Sequence, residues 1–294
     1  MPESALTAVP ACTPVLDTHI HLFDPTRPGG IPWPTPADGI LYQPALPARY
    51  AALAMPHGVV GAIAVEASAR TSDNDWLLHT ASAHPLIVGV VANLDPAAHN
   101  FLYELDRLRA HPLLVGIRSG NLWRRNLSQA IAQPATLKHL AALSGSGLAF
   151  DTANPDLLLL EAVSTIGERI SDLRIILDHL PAASENPTSR FRALLARLGQ
   201  NPNIYVKLSE IPRHIDGAVP RNPDFYRPTL DAICSAFDED HILFGSDWPH
   251  SDRWLPYDQT FTLVRDLFST RSPEACRKFF HQNSVRAYRW RPRG

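Results

Sequence analysis

The sequence predicts an α/β protein built as a (β/α)8 barrel, and three observations predict it. Short apolar runs rich in Val, Ile and Leu recur eight times along the chain. Amphipathic stretches separate them. The length of 294 residues suits one barrel of the TIM type.

Taken in order, the runs are "PVLDTHIHLF", "VVGAIAVEAS", "LIVGVVANLD", "LLVGIRSG", "LAFDTA", "RIILDHLP", "IYVKLSE" and "ILFGSDWP". Each has the length of a buried strand, and most end in a polar or charged residue. Between them, "FLYELDRLRA" (Phe101 to Ala110) and "RFRALLARLGQ" (Arg190 to Gln200) carry Leu at helical spacing, the mark of covering helices. A doubly wound sheet is the rival arrangement, but no GxGxxG follows an early strand. Proline clusters in "DPTRPGGIPWPTP" (Asp24 to Pro36), which excludes a helix interior or a central strand there. That stretch reads as a stiffened loop after the first strand, on the face where barrel enzymes carry their sites. No internal repeat or second domain is visible. The reading is one domain over residues 1–294, with 1–13 a loose N-terminal arm.

Composition narrows the function classes. Hydrophobic residues make up 45% and charged residues 19%, enough for a large core. The net charge of -2 gives no electrostatic case for nucleic acid or an anionic membrane. Cys12, Cys234 and Cys276 lie far apart, so neither a thiolate zinc site nor a disulfide framework is suggested. No apolar run approaches the roughly 20 residues that span a bilayer. "MPESALTAVPACTP" lacks the basic and apolar regions of a signal peptide. The expectation is a soluble cytoplasmic protein acting on a small molecule, as a monomer or a homo-oligomer.

In a barrel the strand ends converge on one mouth. Residues i and i+2 of a strand share a face, so His19 and His21 point to one place. The second strand adds Glu66, the fourth Arg118, the fifth Asp151, the sixth His179, the seventh Lys207 and Ser209, and the eighth Asp247. Each has a plainer reading. The two histidines can be a hydrogen-bonded core pair, and Asp247 can cap the helix start in "WPHSDRW". Glu66 can satisfy backbone donors, and Arg118 can form a buried ion pair with Asp151. Lys207 can lay its stem along the wall with its ammonium in solvent.

Trp33, Tyr42 and Trp123 read as pocket walls or as loop packing. The basic "NLWRR", with Arg124, reads as a carboxylate contact or a solvated charge pair. His250, three residues after Asp247, reads as a substrate contact. His57, His79, His84, His99, His111 and His139 fall on helical or loop stretches and read as surface residues.

"DTHIH" after the first strand, "LDHLP" late in the chain and "FGSDWPH" near its end together resemble the amidohydrolase superfamily. More narrowly they resemble its amidohydrolase-2 branch, which includes 2-pyrone-4,6-dicarboxylate and sugar-acid lactonases. The ending "FFHQNSVRAYRW", with Asn283 and Tyr288, is similar to that branch's C-terminus. The resemblance implies a hydrolase that opens the lactone ring of a sugar acid or a pyrone-type carboxylate. It matches His19 and His21 to the strand-one HxH, His179 to the later strand histidine and Asp247 to the strand-eight aspartate. Members with two metals carry a bridging Lys or Glu on strand four and a further strand-end histidine. This chain has Arg118 and Asp151 instead, so a binuclear centre is not expected.

Two routes stay open. Three histidines and Asp247, with Glu66 as a further carboxylate, suffice for one zinc, whose bound water has a pKa of about 7. Arg118 and Lys207 repel a divalent cation and suit an anionic or hydroxyl-rich substrate, Arg118 gripping a carboxylate through its fork. In the metal-free route His19, His21 and His179 hydrogen-bond the lactone carbonyl and Asp247 is the general base. One zinc is therefore admitted without being required, and no organic cofactor is expected. The rivals are a zinc-dependent decarboxylase of the same superfamily and a catalytically inactive barrel acting as a binding protein. The second fits poorly with a retained Asp247.

Overall fold

Aliphatic runs buried on both faces are what a closed parallel sheet demands, and the strands of this protein are built from them. The computed structural model describes residues 13–180 and 188–293. The N-terminal arm expected over 1–13 lies outside these residues but for Thr13, as do Cys12 and the Pro181 of "LDHLP".

Among the described residues eight strands pair in chain order as one parallel sheet. They are β1 (Val15–His21), β2 (Val59–Val65), β3 (Ile87–Asn93), β4 (Leu114–Gly120), β5 (Ala149–Ala153), β6 (Ile175–Leu177), β7 (Ile204–Leu208) and β8 (Ile242–Phe244). Beyond β8 the chain returns to β1. His21 N–H donates to Trp248 O at 2.7 Å and Asp247 N–H to His19 O at 2.9 Å. This seam closes a (β/α)8 TIM barrel, as expected. Helices Pro47–Ala54, Asp73–Ser82, Phe101–Arg109, Pro134–Gly145, Leu157–Arg169, Ser189–Leu198, Arg227–Ala236 and Tyr257–Phe268 follow the strands in turn. Their buried stripes hold them to the sheet: Phe101, Leu105 and Leu108 on one, Phe191, Leu194, Leu195 and Leu198 on another. No helix among the described residues is long and apolar enough to cross a membrane.

Inside the barrel, Leu16, Ile63, Val91, Ile176 and Leu243 form an apolar lower layer with Tyr288 and Trp290 of the C-terminal tail. Leu16 and His19 both face inward although three residues apart, which strict alternation forbids. A register shift between Asp17 and Ile20 supplies the change of phase. The proline-rich stretch is a loop between β1 and its helix, pinned where Phe23 and Ala45 exchange backbone hydrogen bonds of 3.1 and 2.9 Å. It carries Trp33 over the mouth.

Candidate active site

A cavity of about 240 Å³ opens at the C-terminal ends of the strands. Trp123, Asn154, His179, Glu210 and Asp247 line it, and each follows a strand with a left-handed φ between 53 and 59°. That conformation costs a non-glycine residue about 1–3 kcal/mol and persists only where the surroundings enforce it. Five such residues at one mouth turn side chains inward that an extended strand would aim elsewhere.

Beneath the cavity lies a buried charge ladder. Lys207 Nζ is 2.6 Å from Asp151 Oδ2 and 3.0 Å from Asp178 Oδ1. Asp178 Oδ2 in turn lies 3.6 Å from Arg118 Nη1. Arg118 donates Nε–H to Glu66 Oε1 at 2.8 Å and Nη2–H to the Glu66 carbonyl at 2.8 Å. Glu66 also accepts from Trp123 Nε1, at 3.0 Å to Oε2, and from Ser68 N–H at 3.1 Å. Burial pushes Asp178 up, but Lys207 and His19 outweigh it and hold its carboxyl well below the usual range. Burial raises Asp151 to about 6 against the pull of Lys207. Four carboxylates here, with Asp247, face two permanent cations. The surplus is negative.

The histidines stand above this ladder. His21 donates Nδ1–H to Val65 O at 3.0 Å, which turns Nε2 toward Asp247 Oδ1 at 3.2 Å. His19 is fully buried, its Nε2 3.6 Å from the same oxygen and its Nδ1 3.6 Å from Asp178 Oδ1. Burial and Lys207, whose Nζ is 3.3 Å from Nδ1, push its pKa well down. His179 Nδ1 meets Ser209 Oγ at 2.9 Å. With that hydroxyl donating, Nε2 keeps the ring proton and offers it to the cavity. Asp247 Oδ2 is held by His250 Nδ1 at 2.8 Å, while Oδ1 has no hydrogen-bond partner among the described residues. Burial opposes ionisation of Asp247, yet His179 and His250 outweigh it and hold the carboxyl well below its ordinary value. His250 is raised in return, Asp247 outweighing the effect of burial.

Three donor groups are tight enough for a metal ion: His19, His21 and Asp247; His19, Asp178 and His179; and His179, Glu210 and Asp247. The first fits one cation best. Asp247 Oδ1 is an unpartnered buried oxygen, and Val65 O fixes the tautomer that gives His21 a free Nε2 lone pair. His19 Nε2 faces the same space, with Arg118 Nη1 3.4 Å from it, a contact that an ion there would have to displace.

Several expected residues sit elsewhere than the sequence suggested. Arg118 reaches the cavity wall, but it pairs with Glu66 and not with Asp151, which Lys207 has taken. Its fork is spent. Lys207 neither reaches solvent nor lines the cavity; it is 0% exposed. Glu66 stands outside the metal-competent groups because four donor contacts from Arg118, Trp123 and Ser68 occupy its oxygens. Tyr42, 41% exposed, lies outside the cavity because the turn Pro36–Leu41 buries Leu41 in its place. Arg124 is exposed because its neighbour Trp123 takes the inward position. The Asp247 carboxylate caps no helix; its carbonyl accepts Ser251 N–H at 2.9 Å. Trp33, His250, His21, His179 and Asp247 all line the cavity, and His19 lies just under it. The sequence reading passed over Asp178, Asn154 and Glu210. Asp178 had a signal: it directly precedes His179 at the end of an otherwise apolar strand.

The family model described as amidohydrolase matches residues 16–290. L-fucono-1,5-lactonase of Burkholderia ambifaria is 26% identical over 246 residues, covering 80% of each chain. The crystal structure of an amidohydrolase from Burkholderia multivorans with bound zinc superposes with a TM-score of 0.82 at 24% identity, over 95% of this chain and 100% of that one. A probable 2-pyrone-4,6-dicarboxylic acid hydrolase from Acinetobacter baumannii, solved with citric acid, gives 0.74 at 18% identity, over 93% and 98%. With a matching model over nearly its whole length and the barrel that such proteins share, this chain belongs to the amidohydrolase family.

Proposed function

We propose that the protein is a lactonase acting on neutral, hydroxyl-rich lactones. The observation that carries this reading is the unpartnered Asp247 Oδ1, a buried carboxylate oxygen at the cavity with His21 and His179 beside it. A relative named for L-fucono-1,5-lactone supports the reaction class. In the proposed reaction water attacks the lactone carbonyl while Asp247 takes its proton. His179 Nε2–H is the donor offered to the carbonyl oxygen as charge develops on it. The acyl–oxygen bond of the ring then breaks, and Asp247 returns the proton to the leaving alkoxide. A zinc ion held by His19, His21 and Asp247 would polarise the carbonyl and acidify the water.

The charge of the cavity argues for a neutral substrate. Its charged lining residues are Arg118, His250, Glu210 and Asp247, with Arg118 already paired to Glu66 and His250 to Asp247. A substrate carboxylate would meet two acids and no free cation. The sequence had suggested a carboxylate held by Arg118, and the Glu66 contact removes that support. Glu210 and Asn154 are instead suited to hydroxyl groups.

The test is a panel of aldono-1,4- and 1,5-lactones and pyrone dicarboxylate, followed by proton release in weak buffer with and without chelator. The neutral lactones should be preferred over the dicarboxylate by about tenfold or more, the worth of one unfavourable charge contact. The reverse preference would overturn the neutral-substrate reading. Silence across the panel would bring forward the decarboxylase.

His250 offers a second check. Its exchange for Asn removes the cation beside Asp247, so the carboxylate's pKa rises. The acid limb of the kcat/KM profile should then move to higher pH. An unmoved limb would assign it to another group.

A further inference from the structure

The opposite end of the barrel carries a second cavity, of about 650 Å³. Its charged lining residues are Arg109, Arg289, Arg291 and Arg293, with no carboxylate among them. Two of these are engaged. Arg109 Nε meets Asp106 at 2.8 Å, and Arg293 Nη1 donates to the carbonyls of Ala81, His84 and Ile87 at 3.0, 3.0 and 2.9 Å. Among the described residues Arg289 and Arg291 form no ion pair.

A further guanidinium lies behind the Gly147 wall of this cavity, outside its lining. Arg174, just before β6, is 5% exposed, donates Nη2–H to Gly147 O, and has an Nε with no hydrogen-bond partner among the described residues. Arg289 comes to the same glycine: a Cβ placed on Gly147 would lie 3.9 Å from Arg289 Nη1. Two guanidiniums therefore approach Gly147, Arg289 from the cavity and Arg174 from behind it, and neither forms an ion pair among the described residues. Like charges this close repel, the more so when partly desolvated. Burial and Arg289 together bring the pKa of Arg174 down to about 10. A buried ion normally has a counter-ion, and among the described residues Arg174 has no ion-pair partner.

We propose that this cavity binds a phosphate-bearing small molecule, its oxyanion held by Arg289 and Arg291, with Arg174 adding its positive field from behind the Gly147 wall. A phosphate matches the charge and fork geometry of paired guanidiniums. The volume exceeds that of one phosphate and lies within the roughly 300–1,000 Å³ of small-molecule sites. The C-terminal tail, which carries Arg289 and Arg291, would be the part that responds to the ligand.

Calorimetry on the full chain, titrated with inorganic phosphate, pyrophosphate and ADP at near-physiological salt, tests the proposal independently of lactone turnover. One saturable site per chain is expected. Arg289→Ala, an exposed position, should weaken binding by about tenfold or more, and Arg291→Ala by less. Lactone hydrolysis at the mouth should be unchanged in both variants. Tighter binding of ADP would identify an organic phosphate as the ligand class, and equal binding of inorganic phosphate a free-anion site. Either supports the proposal. No saturable heat with any probe, or undiminished affinity in Arg289→Ala, overturns it.

Discussion

Exchange of Asp247 for Asn is expected to lower kcat/KM for lactone hydrolysis by about 10³-fold or more, with the fold intact. The position is built for one oxygen. The left-handed backbone at φ 59° and the N–H bond to His19 O fix the residue at the seam between β1 and β8. His250 holds Oδ2, which leaves Oδ1 toward the cavity. Asn has nearly the same shape and removes only the charge and the basicity. Because Asp247 titrates well below an ordinary carboxyl, the wild type is ionised throughout the neutral range, and the variant loses that charge at every working pH. Proton release gives the rate, and circular dichroism reports whether the barrel survives. Turnover within tenfold of wild type would remove Asp247 from the role of base. Chelation separates the two routes. Activity that survives metal removal in the wild type and is lost in the variant assigns proton transfer to Asp247 alone. Activity lost to both makes it a metal ligand as well.

The expected residues that the structure brings to the mouth or just beneath it include those governed by short-range rules. His19 and His21 follow from period-two alternation, and His179 and Asp247 from polar residues that terminate apolar runs. Glu210 and Asn154 escaped because alternation holds only for extended backbone, and the residues turn left-handed two steps beyond β7 and one step beyond β5. Left-handed residues also follow β6 and β8, at His179 and Asp247, and these strands are three residues each, well inside the apolar runs that announced them. Partners across the barrel were not legible at all. That Arg118 meets Glu66 from two strands away, while Lys207 meets Asp151 and Asp178, depends on strand tilt and stagger. A strand-end list contains neither. The basic tail "RWRPRG" is visible as charge in the sequence, but its convergence with Arg174 near Gly147 needs the barrel to be closed.

Exchange of Lys207 for Met should cost about 3–5 kcal/mol of stability at pH 7, the penalty for stranding a buried charge. Met keeps most of the stem's volume, so the loss isolates the ammonium from packing. Lys207 is fully buried, with Asp151 and Asp178 as its counter-ions and the Tyr288 ring 5.3 Å from Nζ. Without it two carboxylates share an apolar layer. The pH dependence carries the diagnosis. A carboxylate with a depressed folded pKa, as Asp178 has, stabilises the fold above its unfolded value of about 4 and loses that contribution as pH falls through the folded value. Asp151, raised to about 6, runs the other way: ionising it between about 4 and 6 costs stability. In the variant both carboxyls lose the cation that lowers them, so both protonate more readily. The deficit measured by urea denaturation should therefore be largest near pH 7 and shrink toward pH 5. Adding Asp151→Asn to the variant should recover part of it, since one of the stranded charges is then gone. A deficit that stays below about 1 kcal/mol, the scale of an exposed ion pair, and does not change with pH would mean that Lys207 does not balance the ladder. The site above would then need another source for the field that keeps His19 neutral.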